Sequence, residues 1–282
     1  MPQTINTNIA SLNAQRNLNA SQSSLMTSMQ RLSSGLRVNS AKDDAAGLAI
    51  AERMNAQVRG MNVAIRNAND GISMAQTAEG ALGKVGDSLQ RMRELAVQSR
   101  NASNSSSDKD SLNKEFIELQ AEISRVLGGT TFNGKAILGD GATAMTFQIG
   151  ANTTANDTIT VDTVNMTTNT DITAVTGTAA SIGASASFGA IGTVIDDIDT
   201  ALDLVNNTRA TYGATQSRFD AIISNLQLAS ENQAAARSRI MDADFAAETA
   251  NMSRAQILQQ AGNAMVAQAN QLPQQVLSLL QG

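Results

Sequence analysis

The chain has 282 residues, a net charge of −5 at pH 7, and no cysteine, histidine or tryptophan. Without Cys or His it can form no disulfide, iron–sulfur cluster or ordinary zinc site, and it lacks the groups for Ser-His-Asp or Cys-His catalysis. The acidic balance argues against a general nucleic-acid binder. We therefore predict a protein that is not an enzyme and needs no cofactor.

Targeting signals are not evident in the sequence. Residues 1–20 lack the apolar stretch of a signal peptide. No window holds the run of about 18 apolar residues that a membrane-spanning helix needs. We expect no conventional signal sequence and no insertion into a membrane.

Prolines and glycines indicate where helices can run. Pro2 and Pro273 are the two prolines of the chain, and 87–127 and 214–261 contain neither Gly nor Pro. Such stretches exceed the usual helix of about 11–12 residues, which favours coiled coils or helical bundles. Glycine is expected to mark the breaks between helices.

Apolar residues spaced by four and three recur in the first half of the chain, a spacing typical of helices packed side by side. In the N-terminal arm they are Leu18, Leu25, Met29, Leu32 and Leu36. Two further seams consist of Val85, Leu89, Met92 and Ala96, and of Leu112, Phe116, Leu119, Ile123 and Val126.

The middle of the chain is acidic and rich in threonine. Residues 136–208 contain eight Asp and no Lys or Arg, and 13 of the 40 residues in 141–180 are Thr. Because Thr favours strands, Met145–Ile149 and Thr158–Val161 are predicted to form one or two β-hairpins within about 130–190. Gly177–Gly192 is expected to be a loose connection.

The longest apolar seam begins at Ile191 and steps by four and three to Leu226, with apolar residues at nine of its eleven positions. It predicts one long helix that packs with the 85–96 and 112–126 seams as a helical bundle. A C-terminal stripe follows, at Leu258, Ala261, Met265, Gln268, Leu272, Val276 and Leu279.

The two terminal stripes bury little apolar area by themselves. A lone pair of such helices is marginal in water, because helical stability comes mainly from packing of an apolar face. We therefore expect the terminal arms to become ordered only when many copies bury them together.

Two charged clusters have a plain structural explanation. Asp196, Asp197 and Asp199 are predicted to lie in the opening turn of a helix, where carboxylates favour the positive end of the helix dipole, rather than to bind a cation. Residues 42–44 (Lys-Asp-Asp) are interpreted as charges at a helix N-terminus or as interchain ion pairs.

Four segments resemble one protein family, the bacterial flagellins. They are the N-terminal arm Ile5–Met54, the C-terminal arm Ala236–Leu280, and the internal blocks LQRMRELAVQ (Leu89–Gln98) and TFNGKAIL (Thr131–Leu138). The likeness covers most of the chain and pairs both termini. It points to a short flagellin without large outer domains.

The resemblance implies a fold and a domain organisation. The fold is mainly α, a long helical hairpin or coiled-coil rod with a small β-hairpin region and with the N- and C-terminal helices paired. Residues 1–44 and 243–282 would form the inner coiled-coil domain that becomes ordered on assembly. Residues 45–242 would form the rod domain of packed long helices.

The resemblance also implies a function. The chain would be the structural subunit that self-assembles into the helical flagellar filament for swimming motility, exported unfolded through the flagellar secretion apparatus to the extracellular flagellum. Its partners would be many copies of itself, an export chaperone, the filament cap and hook-junction proteins, and the host flagellin-sensing Toll-like receptor. The alternative is a hook–filament junction protein.

Site residues follow from the seams and from the family motifs. Those expected in assembly or chaperone binding are Leu18, Leu25, Met29, Leu32, Leu36, Ile257, Leu258, Met265, Leu272, Val276, Leu277 and Leu280. The resemblance places the receptor contacts at Gln90, Arg91, Leu95 and Glu115. These receptor residues could instead serve subunit packing.

Overall fold

The protein is mainly α-helical. The computed structural model describes the backbone of residues 7–280 and the side chains of residues 7–271. In that part of the chain the helices and strands are α1 (Ile9–Ser34), α2 (Ala45–Ser99), α3 (Ser106–Gly129), β1 (Thr131–Phe132), β2 (Lys135–Ala136), β3 (Met145–Gln148), β4 (Thr158–Val161), α4 (Thr170–Thr176), α5 (Phe188–Met241) and α6 (Phe245–Leu280). The predicted fold class is confirmed. None of the helices within 7–280 has the length and apolarity needed to cross a membrane.

The chain divides into two compact units. The first combines both ends of the chain, up to Ala56 and from Asn232 onward, and the second is Gln57–Glu231. In the first unit α1 packs against α6. The two termini are therefore paired as helices, as the resemblance implied.

Helix ends are set by side chains that satisfy free backbone N–H groups. The Asn8 side chain accepts from Ser11 N at the start of α1, and Asp44 accepts from Gly47 N at the start of α2. Ser105 opens α3 with a capping box. Each of these contacts satisfies an N–H that the helix itself leaves without a partner.

The prediction that glycine marks the helix breaks is wrong for α2, although Gly35 and Gly177 are the C-caps of α1 and α4. The helix runs without interruption through Gly47, Gly60, Gly71, Gly80, Gly83 and Gly86. Conversely, the glycine-free stretch 87–127 is broken at 100–105. Packing contacts outweigh the cost of about 1 kcal/mol for each helical glycine.

Gly71 shows what one of these glycines is for. It is buried against the ring of Phe219 on α5, and a Cβ at this position would lie 2.5 Å from Phe219 Cζ. Phe219 is itself fully buried and makes an edge-to-face contact with Phe147 at 5.6 Å between centroids. The ring therefore has little room to move.

We expect Gly71→Ala to destabilise the protein by about 1–3 kcal/mol, because it overpacks a full core. Gly80 is the matched control, since nothing lies within 4 Å of a Cβ built there. Gly80→Ala should instead stabilise by about 0.5–1 kcal/mol through helix propensity. Urea denaturation shows whether the free energy of unfolding falls or rises in each variant. Equal changes in the two variants would contradict this account of Gly71.

The core of the second unit is built from the predicted seams. Val85, Leu89, Met92 and Ala96 of α2 are all buried in one cluster with Phe116 and Ile123 of α3 and with Ile191, Ile198, Val205, Tyr212 and Phe219 of α5. Leu112, Leu119 and Val126 pack against the same cluster. The prediction that the three seams pack together is confirmed.

The acidic residues of α5 are placed differently from the prediction. The helix begins at Phe188, so Asp196, Asp197 and Asp199 lie two turns or more past its first residue. Asp199 instead pairs with Arg93 of α2, whose Nε and Nη2 donate to its two carboxylate oxygens at 2.6 and 3.2 Å. The carboxylate links α2 to α5 and is remote from the N-terminal, positive end of the α5 dipole.

Two β-hairpins follow α3. The predicted strands pair antiparallel as β3 and β4, with Met145 opposite Val161. The other hairpin, β1–β2, turns at Asn133-Gly134, where φ is +48° and +77°. Positive φ at both central residues defines the tight turn that matches strand twist. This Asn-Gly pair was the sequence signal for a hairpin that strand propensity alone did not show.

Tyr212 is buried with its hydroxyl unpaired. Its side chain is 1% exposed, and the OH has no hydrogen-bond partner in the described part of the chain. Burial in these apolar surroundings raises the pKa of Tyr212 from 10.0 to about 12. The neutral phenol is therefore favoured in the folded state.

We expect the free energy of unfolding of Tyr212→Phe to equal that of the parent or to exceed it by up to about 1 kcal/mol. The substitution removes a buried hydroxyl that has no partner. The unfolded tyrosine ionises around pH 10, whereas the folded one ionises only around pH 12. The parent's free energy of unfolding should therefore fall by about 1 kcal/mol more than that of the variant between pH 8 and 11. Urea curves at both pH values test this, and parallel losses would contradict it.

Candidate assembly surface

A short connector joins α1 to α2 and lies against the end of α5. Gly35 ends α1 with φ +71°, and its carbonyl accepts from Ala243 N at 2.9 Å. Arg37 N donates to Met241 O at 2.6 Å. A small apolar cluster of Val38, Ala51 and Met241 is buried beneath these bonds. The connector is thereby tied to the segment that leads into α6.

A carboxylate closes the connector on itself. Asp43 Oδ2 accepts from the backbone N–H groups of Asn39 and Ser40 and from the Ser40 hydroxyl, at 2.9–3.1 Å. These bonds, the Ser40 hydroxyl first, lower the pKa of Asp43. Asp43 thus shapes a turn, whereas Asp44 caps α2, so this pair of carboxylates serves local structure.

Polar contacts fix the register of α1 against α6. Asn8 Nδ2 donates to Ala269 O at 2.7 Å, and Ser11 Oγ donates to Asn270 Oδ1 at 2.7 Å. At the other end of α1, Arg31 approaches Glu248 at 3.8 Å. The two helices are antiparallel and are joined at both ends of their contact.

The seam between these helices is made of small and polar residues. Up to residue 271, where the described side chains end, the buried positions of α6 are Glu248, Ala255 and Ala269, seven or fourteen residues apart. Gly262 completes the same heptad, and a Cβ there would lie 3.1 Å from Leu18 Cδ1 of α1. Small residues let the helices approach closely, but they bury little apolar area.

Nine large apolar side chains in the described part of the first unit are exposed to solvent. Those classed as exposed are Ile9, Leu12, Met26, Met29, Ile50, Phe245, Ile257, Leu258 and Met265. We call this set the exposed apolar set. Single exposed apolar residues are ordinary on a soluble protein, but eight of these nine lie on the two paired terminal helices. Such a concentration is typical of an interaction surface.

The predicted assembly residues divide into three groups. Leu18, Leu25, Leu32 and Leu36 are half-buried. Met29, Ile257, Leu258 and Met265 are exposed. Leu272, Val276, Leu277 and Leu280 lie outside the residues whose side chains are described. Leu18, Leu25 and Leu32 of α1 are thus partly covered, with Leu18 beside Gly262 of α6, while four predicted residues remain open to solvent.

Sequence reasoning missed several members of the exposed set. Ile9 and Leu12 are one turn apart on α1, and Met26 and Met29 repeat that spacing. The spacing of three was a usable signal, but Ile9, Leu12 and Met26 fall outside the four-and-three seam followed from Leu18, to which Met29 belongs. Phe245 at the first position of α6 gave no periodic signal at all.

The predicted receptor residues lie on α2 and α3. Gln90, Arg91 and Glu115 are exposed. Arg91 is held on both sides, because its Nε donates to Glu115 and its Nη1 donates to Glu94, both at 2.8 Å. Hydrogen bonds to Glu115 and then Glu94 raise the pKa of the Arg91 guanidinium. The three exposed residues thus offer a polar, charge-paired face.

Leu95 does not belong to that face. Its side chain is 0% exposed and lies in the core of the second unit. The placement of Leu95 among direct contacts is therefore corrected, since the side chain packs inward and a partner could not reach it without disturbing the core.

Comparisons with known proteins point to one family. The bacterial flagellin N-terminal helical region matches residues 5–143, and the bacterial flagellin C-terminal helical region matches residues 195–280. A flagellin of Halalkalibacterium halodurans is 46% identical over 98% of this chain and 99% of its own length. A flagellin of Xenorhabdus nematophila is 44% identical over 99% of this chain and 100% of its own.

A solved structure is also similar. The crystal structure of Bacillus cereus flagellin is 31% identical and covers 57% of this chain and 88% of that one, with a TM-score of 0.49.

Three findings together define a structural protein. They are the paired terminal helices, the match to both flagellin regions, and the relatives that align over nearly the whole chain. The chain belongs to the bacterial flagellin family. It is a structural subunit of the flagellar filament and not an enzyme. The hook–filament junction alternative is not favoured over this assignment.

Proposed function

We propose that the chain self-assembles into the extracellular flagellar filament through the exposed apolar set on α1 and α6. The observation that carries this proposal is that, among the described residues of the first unit, eight of the nine large exposed apolar side chains lie on these two helices. Burying one such side chain contributes roughly 1.5–3 kcal/mol. Contacts between copies are the available source of that burial.

Assembly and ordering of the arms are coupled in this proposal. The seam of α1 and α6 is small and polar, so the pair alone gains little from packing. Neighbouring copies would cover the exposed apolar set and stabilise the helical, paired conformation described above. Binding that selects a folded state stabilises it by mass action, so helicity would rise with polymerisation.

Head-to-tail contacts whose rotation does not close give an open helical polymer. The subunits would be exported unfolded through the flagellar secretion apparatus before they assemble. The resulting polymer would serve swimming motility. Residues 1–44 and 243–282 would be the part ordered on assembly, and 45–242 the part folded beforehand. These boundaries lie at the connector after α1 and at the break between α5 and α6.

Further partners are proposed from membership of the family. An export chaperone would bind the C-terminal arm before assembly, with Ile257, Leu258 and Met265 as exposed anchors. Filament cap and hook-junction proteins would contact the ends of the polymer. A host flagellin-sensing Toll-like receptor would contact Gln90, Arg91 and Glu115, the exposed members of the predicted receptor residues.

Seeded growth tests the assembly proposal. Purified monomer is mixed with short filament seeds, and circular dichroism is recorded alongside negative-stain electron microscopy. We expect helicity to rise in step with filament length. A fully helical monomer that never elongates on seeds would sink the proposal, and elongation without a change in helicity would sink the coupling.

A further inference from the structure

The methionines of the chain divide sharply by exposure. Of the eleven methionines among the described residues, three are exposed: Met26 at 71%, Met29 at 54% and Met265 at 62%. All three lie on α1 and α6 and belong to the exposed apolar set. Met61, Met74, Met92, Met166 and Met241 are buried. Met54, Met145 and Met252 are half-buried.

We propose that Met26, Met29 and Met265 form an oxidation site through which peroxides control assembly of the monomer. This inference rests on the proposed function, because it assigns a chemical sensitivity to the same surface. Oxidant access follows exposure, so these three thioethers react before the buried ones.

The reaction is a two-electron oxygen transfer from hydrogen peroxide. The thioether sulfur donates a lone pair to one peroxide oxygen, and the O–O bond breaks. The proton on the transferred oxygen passes to the departing hydroxide, which leaves as water. Sulfur is oxidised to the sulfoxide and the peroxide is reduced, so no further co-reactant is needed.

The product changes the surface from apolar to polar. A sulfoxide carries a strong dipole and accepts hydrogen bonds, whereas the thioether packs as a soft apolar group. In the monomer the sulfoxide stays hydrated, so the fold tolerates it. On assembly it would be taken out of water without a designed donor, which is unfavourable.

The arrangement on α1 strengthens the effect. Met26 and Met29 are one turn apart and border a shallow depression with Ser23, Thr27 and Gln30. Neighbours three residues apart on a helix share a face. Two sulfoxides would therefore be presented to the same part of an incoming copy.

The experiment uses the full chain as purified monomer. Monomer is treated with hydrogen peroxide, sulfoxides are mapped by peptide mass spectrometry, and the critical concentration for seeded growth is measured. We expect oxidation at the three exposed methionines before the buried ones, and a critical concentration raised about tenfold or more. Treatment with methionine sulfoxide reductases should restore growth.

Two triple variants separate the exposed site from general damage. Met26→Leu/Met29→Leu/Met265→Leu removes the three thioethers but keeps apolar side chains of similar volume, so its critical concentration with peroxide should equal its own value without peroxide. Met54→Leu/Met61→Leu/Met145→Leu, three positions within 45–242, leaves the exposed methionines in place and should remain sensitive.

The possible failures are distinguishable. If untreated monomer does not elongate on seeds, the proposed function fails. If untreated monomer elongates and oxidised monomer elongates equally well, only the oxidation inference is overturned. Equal oxidation of Met74 and Met26 in folded monomer overturns the inference whatever the growth assay shows.

Discussion

Filament growth should stop when Ile257 and Leu258 are both replaced by Asp. The two side chains are 66% and 51% exposed on α6, so the substitutions remove few contacts within the monomer. In an assembled interface they would place two carboxylates where apolar side chains are buried, and uncompensated buried charge is strongly unfavourable. We expect the critical concentration for seeded growth to rise by about a hundredfold or more, since each 1.4 kcal/mol is a factor of ten.

The matched control is Ile257→Leu/Leu258→Met, which keeps the volume and the apolar character. It should elongate on seeds within a few-fold of the parent, as followed by light scattering and electron microscopy. Circular dichroism and urea denaturation check that the Asp variant keeps its monomer fold. Filaments of the Asp variant at the parent's critical concentration would remove this face of α6 from the interface.

Leu95→Asp should unfold most of the second unit. Leu95 is fully buried among apolar side chains of α2, α3 and α5, so the variant loses the packing of a leucine and buries a carboxylate without a partner. We expect the free energy of unfolding to fall by more than about 4 kcal/mol, which is comparable with the whole stability of an ordinary domain. Urea denaturation and limited proteolysis measure it.

Val97→Asp provides the control on the same helix. Val97 is two residues further along α2 and 50% exposed, so its replacement should change stability by no more than about 0.5 kcal/mol. A cooperative urea transition in Leu95→Asp matching that of Val97→Asp would contradict the burial. A reduced receptor response to Leu95→Asp would report unfolding, whereas Gln90→Ala or Arg91→Ala would test the exposed face itself.

The surface ion pairs of Arg91 affect how a receptor test of this residue is interpreted. Its guanidinium already pairs with Glu94 and Glu115 on the surface, and such exposed pairs contribute only about 0–1 kcal/mol. Arg91→Ala should therefore leave monomer stability nearly unchanged. A change in receptor response would then be attributable to the surface and not to the fold.

Much of the second unit could be predicted because its signals are local and periodic. The seams through Leu89, Phe116 and Ile198 repeat with the spacing of packed helices, and each of these residues is buried. The strands at Met145 and Thr158 followed from composition. The β1–β2 hairpin was not predicted as such, although Asn133-Gly134 carried a turn signal.

Helix ends inside the long stretches were harder to place. The break at 100–105 and the uninterrupted helix through Gly71 both depend on what the helix packs against. A glycine fits at position 71 because Phe219 occupies the space that a Cβ would take. That neighbour is 148 positions further along the chain, so no local pattern shows it.

The candidate assembly surface was likewise predicted from the sequence only in part. Periodicity identified apolar stripes on both terminal arms, and the family motifs identified the chain as a flagellin. Periodicity did not distinguish Leu18, which turns toward Gly262, from Met29, which stays in solvent. Both residues belong to one stripe, and only the position of α6 separates them.

The sequence by itself determined the helical class, the pairing of seams in the second unit and the family. These follow from residue spacing and long motifs, which are properties of the chain alone. The tertiary structure decided which apolar side chains are left exposed, that Leu95 belongs to the core, and that glycines can continue a helix. Exposure and close approach depend on neighbours distant in sequence, so they are settled only when the helices pack.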